Sequence, residues 1–261
     1  MSQSIILCEG YHDRAFWAGL LEHLGCTDPG RREGTTGRVS VLDPWDEKVV
    51  GGQFGFHSRT EKFVRIQPCH GKDNVRREVR NTLDGERQRL QAGQANPRVK
   101  RLVFNIDSDT SVEQTSGKTG FRHQDLRAMV NEFDSSAEDT DDGDLLLFGG
   151  AITVSLIRWE ASDGNVAGLP AQQTLERLAC AALVAAYPPR GPAVQDWLDS
   201  RPEAPEAGPK EFGFSHMAGW YAEAGSEGFY RKLWGNARVV AELKNRLAEC
   251  GAWRVAEVLA E

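Results

Sequence analysis

A chain of 261 residues, 40% apolar and 26% charged, has the composition of a soluble globular protein with room for one large domain or a domain plus an appendage. It contains no apolar run of about 18 residues and no basic-then-apolar leader, and its five cysteines (Cys8, Cys26, Cys69, Cys180, Cys250) are scattered and never form CxxC. A membrane span, secretion, a zinc ribbon and a disulfide framework are all disfavoured, and a reducing cytoplasm is expected. The net charge of −7 disfavours nonspecific coating of nucleic acid, but its distribution is uneven: Arg59 to Arg101 carries twelve Lys or Arg against five Asp or Glu, while Asp134 to Asp163 is strongly acidic.

In chain order, "SIILC" reads as a buried strand and "HDRAFWAGLLEHLG" as a helix, with Phe16, Leu20, Leu21 and Leu24 on one side and Gly25 as its stop. "RVSVLD" and "KFVRIQPC" read as strands separated by a Gly-rich excursion. "KDNVRREVRNTLDGERQRLQ" is a helix, "VKRLVFNID" a strand and "FRHQDLRAMVNEF" a helix. "DLLLFGG" and "AITVSLIRW" are two further strands. Strands alternating with helices predict an α/β fold with a mainly parallel sheet, which places ligands at the strands' C-terminal ends. Residues 1–165 are expected to form this domain and residues 166–261 a helical C-terminal region. There "PAQQTLERLACAALVAAY" reads as a long helix, and "PPRGPAVQDWLDSRPEAPEAGPKEF" as loops around a short one. From His216 onward everything reads as helical, with Trp220, Tyr221, Phe229, Tyr230, Trp234 and Trp253 as packing aromatics that also offer a surface for a dimer or a partner.

Acids stand at two strand ends. Glu9 closes the first strand and Asp13 lies in the helix start that follows. Asp13 is also explained by helix capping, whereas Glu9 is not. Asp107 and Asp109 close "RLVFNID", and a DxD on an extended chain points both carboxylates to one side. Two parallel strands ending at one sheet edge would gather these carboxylates. Their mutual repulsion is offset by a hard divalent cation, and such an ion acts well on phosphate oxygens. The plainer alternatives are an Asp-Ser-Asp-Thr turn and, for the basic stretch, a solvated amphipathic helix.

"ILCEGYHD" followed downstream by "VFNIDSD" resembles the Toprim domain, the metal-binding core of primases, topoisomerases, OLD-family nucleases and small RNA-maturation nucleases, over roughly residues 3 to 160. The resemblance implies a Toprim-like, Rossmann-like sheet flanked by helices and a Mg²⁺- or Mn²⁺-dependent nuclease acting on DNA or RNA. Glu9 would be a metal ligand or general acid/base, Asp107 and Asp109 metal ligands, and Asp13 the acid that OLD-like and small members carry after Glu-Gly. "HGKDNV" resembles the Gly-Lys segment of the small members, which would put Lys72 on a phosphate. The segment "GLPAQQTLERL" makes Glu176 a further ligand candidate, although a mid-helix glutamate is expected on the surface. Lys210 is a weaker phosphate candidate. The Glu9-to-Asp107 spacing exceeds that of minimal members, and the Gly-rich insertion accounts for much of it. With no GxxxxGK[ST] loop, any ATPase partner would be a separate chain.

Two rival readings stand beside this one. "DSDTS" resembles the haloacid-dehalogenase phosphatase motif, with Asp107 as nucleophile and Asp109 as acid/base. Ser111 departs from the expected Thr or Val, however, and a strand-helix-strand-helix section precedes the motif. A non-catalytic Toprim module that binds nucleic acid and needs a partner ATPase is the other. An EF-hand in "DTDDGD" is excluded by its offsets. His12, His57 and His70 fall in the same half, where a solitary histidine is usually polar surface.

Overall fold

A computed structural model describes residues 3–31, 38–49, 52–110, 120–201, 207–221 and 225–261. Ser111, parts of the Gly-rich and Pro-rich segments and the side chains of Trp220 and Tyr221 lie outside what it describes. The chain divides into two compact units. One comprises residues 1–106, 121–157 and 255–261, the other residues 107–120 and 158–254. The boundary expected at residue 165 lies in the loop that follows the last strand.

The first unit is built on a seven-stranded sheet of β1 (Gln3–Cys8), β2 (Phe54–His57), β3 (Phe63–Pro68), β4 (Val99–Asp107), β5 (Glu138–Asp139), β6 (Leu145–Leu147) and β7 (Ile152–Trp159), in the order β2-β3-β1-β4-β7-β6-β5. The parallel character sits in the centre, where β1 pairs with β3 on one side and β4 on the other. The flanks are antiparallel: β2 runs against β3, β6 against β7 and β5 against β6. The helices of this unit are α1 (Tyr11–His23), α2 (Lys72–Gln91) and α3 (His123–Asn131). The central strands are near-continuous apolar runs, as two-sided burial requires.

Two buried polar side chains of this core tie its elements together. The Trp17 indole N–H of α1 donates to Asn105 Oδ1 at 2.8 Å, and Asn105 Nδ2 donates to the Ile157 carbonyl, so one buried amide joins α1, β4 and β7. Buried Glu86 on α2 accepts the Arg98 and Val99 amides where β4 begins. Along α2, Val75, Val79 and Leu83 form the inward stripe with Glu86, and the arginines face outward. The amphipathic reading of the basic stretch therefore holds for the helix itself.

Two expected elements are corrected. "RVSVLD" makes only isolated bridges, because the Asp43 carboxylate accepts the Trp45 and Glu47 amides and meets Gln3, Arg65 and Arg98. A side chain that engages its own backbone in this way competes with a ladder. Conversely, "FGFH", inside the Gly-rich excursion, is strand β2. Gly55 is required there, since a Cβ would stand 2.7 Å from the Phe63 ring.

The second unit contains α4 (Leu175–Ala186), α5 (Arg190–Asp199), α6 (Pro209–Tyr221), α7 (Gly225–Leu233) and α8 (Ala237–Glu249); the first turn of α9 (Ala252–Ala260) also belongs to it. Thr174 caps α4 and Asn236 caps α8 through side-chain oxygens. Arg177, at 0% exposure, donates to the carbonyls of Pro170, Asp163 and Gly164. Arg246 pairs with both oxygens of Asp163.

His216 on α6 is fully buried, and its Nε2 lies 2.9 Å from the Gly168 carbonyl. Burial pulls its pKa down to about 4. Between about pH 6.5 and pH 4 the unfolded chain takes up a proton that the folded chain refuses. This contribution is therefore absent above pH 6.5, and stability falls as pH drops through that window, by about 3 kcal/mol in all. Urea unfolding at pH 7 and pH 4.5 checks it: His216→Gln is expected to show a shallower acid loss than the wild type.

Candidate functional site

The geometry is set by the ends of the parallel strands. In the first unit, β1 ends at Cys8 and β3 at Pro68, and the turns that follow are tied together: the Cys69 amide donates to the Cys8 carbonyl at 2.8 Å and the Gly71 amide to the Glu9 carbonyl at 3.0 Å. Each turn feeds a helix. Gly10 is the N-cap of α1 and Gly71 the N-cap of α2. The backbone of Glu9 thus lies beside the start of α2, where Lys72 occupies the first helical position. Gly71 takes φ +117°, a Cβ there would meet nothing within 4 Å, and this glycine N-cap gives α2 no side-chain cap.

Asp13 is 6% exposed, and its Oδ2 accepts the Gly10 amide at 2.8 Å. The capping explanation weighed for Asp13 is thus realised: a carboxylate at the helix's third position reaches back to the cap amide. Glu9 and Lys72 are half-buried. The buried thiol of Cys8 is pushed well up, first by desolvation and then by the negative charge of Asp13. Burial likewise pushes the Cys69 thiol up to about 12. Both thiols are therefore inert at neutral pH.

The aromatic and cationic side chains of this edge are ordered. The Tyr11 ring meets His70 edge to face at 5.0 Å. The Arg14 guanidinium lies over Tyr11 at 4.7 Å and over Phe54 at 4.0 Å, and donates to the Gly52 carbonyl. His57 lies on β2 and meets the Phe63 ring edge to face. His12 is half-buried in the first turn of α1.

Much of the expected basic stretch is already engaged. Arg80 pairs with Glu132, Arg87 with Asp84, Arg76 with Asp73, Arg98 with Glu47 and Asp43, and Arg101 with Asp144. The cationic surface is smaller than the residue count suggests.

The second acidic group belongs to the second unit. Asp107, the last residue of β4, accepts the Leu175 amide on Oδ1 at 2.9 Å, at the N-terminus of α4. The Asp109 amide donates to the Gln173 carbonyl and the Gln173 amide to that of Thr110. This small ladder holds Asp109 at φ +54° with its side chain exposed. Ser108 Oγ donates to Glu160, which also pairs with Arg158.

Glu176 is corrected: it is 7% exposed rather than on the surface, in the first turn of α4, where Gly213 of α6 leaves room for it. Only the packing of α6 on α4 reveals this. Lys210 is exposed near the start of α6. Among the described residues, no three His, Cys, Asp or Glu are arranged around one metal position. No described helix is long and apolar enough to cross a membrane.

No family model matches the chain, and no curated protein matches it. Among solved structures, the chain is similar over its whole length to the whole of a hypothetical protein from Pyrococcus horikoshii OT3, with TM-score 0.66 and 17% identity. That likeness shows a shared α/β fold and carries nothing about activity.

Proposed function

We propose that this chain is a Toprim-type nuclease that hydrolyses phosphodiester bonds in DNA or RNA with Mg²⁺ or Mn²⁺. The observation that supports it is strand register. β1 and β4 are parallel neighbours with Leu7 opposite Phe104; Glu9 follows the first of these strands and Asp107 is the last residue of the second. Carboxylates at adjacent parallel strand ends, next to a Gly-Lys helix start, are what the Toprim resemblance implies.

The donor chemistry fits a hard cation, since Glu9, Asp107, Asp109 and Asp13 supply only oxygens. Mg²⁺ keeps several waters and is held by one or two carboxylates plus substrate phosphate. When bound, the ion supplies Lewis-acid polarisation of the scissile phosphate and lowers the pKa of a bound water.

The remaining roles belong to the chain. The Glu9 carboxylate would either hold the ion or accept the proton of the attacking water. Asp107 is fixed by the Leu175 amide, which pins one of its oxygens and so sets the direction of the other. Asp13 holds the turn that presents Glu9. Lys72 and the amide end of α2 offer positive potential to a phosphate oxygen. The protein would work in the cytoplasm.

Cleavage of mixed DNA and RNA in Mg²⁺ or Mn²⁺ tests the reading. The wild type is expected to cut, and Glu9→Gln to lose about a thousandfold. Hydrolysis of a small phosphomonoester that needs Asp107 but not Glu9, without cleavage of nucleic acid, would replace this reading with the phosphatase.

A further inference from the structure

Tyr11 is a large aromatic residue left 46% exposed immediately after the Glu9-Gly10 turn. It is not a loose surface side chain. Arg14 lies over its ring and is itself held by Phe54 and the Gly52 carbonyl. Exposed His70 meets the ring at 5.0 Å from the turn after β3. Gly52, at φ +81°, comes so close that a Cβ there would stand 2.9 Å from the Tyr11 ring. Three segments of the first unit, α1, the stretch 52–54 and the turn after β3, therefore surround one half-exposed ring. About half of the Tyr11 side chain nevertheless stays open to solvent.

We infer that Tyr11, backed by Arg14 and flanked by His70, is a stacking platform for an unpaired base, and that the substrate class is single-stranded or locally unpaired nucleic acid. The inference rests on the nuclease reading for the position of the phosphate, which falls between Glu9 and the α2 amide end. A ring two residues from Glu9 is within one nucleotide's reach of that phosphate. Every base has a π-face, so such a platform accepts any sequence but requires the base to be out of its stack. Duplex DNA or RNA hides those faces. The extensive pairing of the α2 arginines fits the same picture, since a weaker ionic grip leaves more of the binding to stacking.

The experiment is binding rather than cleavage, with Ca²⁺ in place of Mg²⁺. Fluorescein-labelled twelve-nucleotide single strands of DNA and RNA, and a duplex of the same length, are titrated by anisotropy with wild type, Tyr11→Ala and Tyr11→Phe. A 2-aminopurine strand reports stacking by its quenching. Circular dichroism and thermal melting check that the variants are folded. Tyr11→Ala is expected to weaken single-strand binding about tenfold or more, to leave duplex binding within about twofold, and to abolish the quenching; Tyr11→Phe is expected to retain all three.

Equal losses on single strand and duplex, no loss at all, or no single-strand binding by the wild type would each overturn the platform. Tyr11-dependent binding in a protein that cuts nothing would instead sink the nuclease reading and leave the platform standing. Cleavage without Tyr11 dependence would do the reverse.

Discussion

Asp107→Asn is expected to stay as stable as the wild type to within about 1 kcal/mol while losing about a thousandfold or more of metal-dependent cleavage. Asn keeps an oxygen for the Leu175 amide and gives up only the charge. Asp107→Ala removes both. It is expected to lose the same activity and a further 1 to 2 kcal/mol or so of stability, because a helix N-terminal amide loses its acceptor. Cleavage rates and urea melts on the two variants separate the structural duty of this carboxylate from its proposed chemical one. If Asn preserved full activity, the charge at 107 would have no part in catalysis, and the nuclease reading would lose one of its two strand-end acids.

The largest expected effect on stability lies away from that edge. Arg177 is fully buried with no carboxylate on its guanidinium hydrogen bonds, and its donors go to three loop carbonyls, those of Pro170, Asp163 and Gly164. Desolvation lowers its pKa, and the Asp163 charge opposes that shift. The side chain ties the loop between β7 and α4 to the first turn of α4. Arg177→Ala is expected to cost about 3 to 5 kcal/mol, through a cavity and a lost set of charge-assisted bonds. Arg177→Lys should recover only part of this, because an ammonium cannot fork to three separated acceptors. Urea unfolding followed by tryptophan fluorescence reads both values. A loss below about 1 kcal/mol for Arg177→Ala would mean that the loop holds its shape without the clamp.

The sequence was most legible where one period ran unbroken. β1, α2 and β4 carry apolar patterns that end at a carboxylate or a glycine, and their boundaries could be read directly. It was least legible where a side chain overrode the backbone. "RVSVLD" alternates like a strand, but Asp43 at its end binds its own loop, and the ladder never forms. β2 was hidden because Gly55 breaks the β-propensity pattern, and only the Phe63 ring beside it explains the glycine. At the candidate site, the strand-end acids and Lys72 were visible as residue types at turns. The burial of Glu176 was not, because it depends on a helix more than thirty residues away in sequence. The neutralisation of the basic stretch was hidden for the same reason: Arg80 finds Glu132 and Arg101 finds Asp144, across separations that no local pattern reports.

The last helix has a consequence for how the molecule is made. Residues 255–261 belong to the unit of the sheet, and the Arg59 amide and Nε both donate to the Ala260 carbonyl, 201 positions away. A ribosome releases the chain from its N-terminus at about 5 to 20 residues per second. The sheet is thus synthesised early but receives residues 255–261 only after residues 158–254 of the other unit have emerged. Until then, the Arg59 amide and guanidinium lack the Ala260 carbonyl as acceptor. Contacts of such long range make folding slow, so the interval before Ala260 arrives is when the nascent chain is most open to aggregation and has most use for a chaperone.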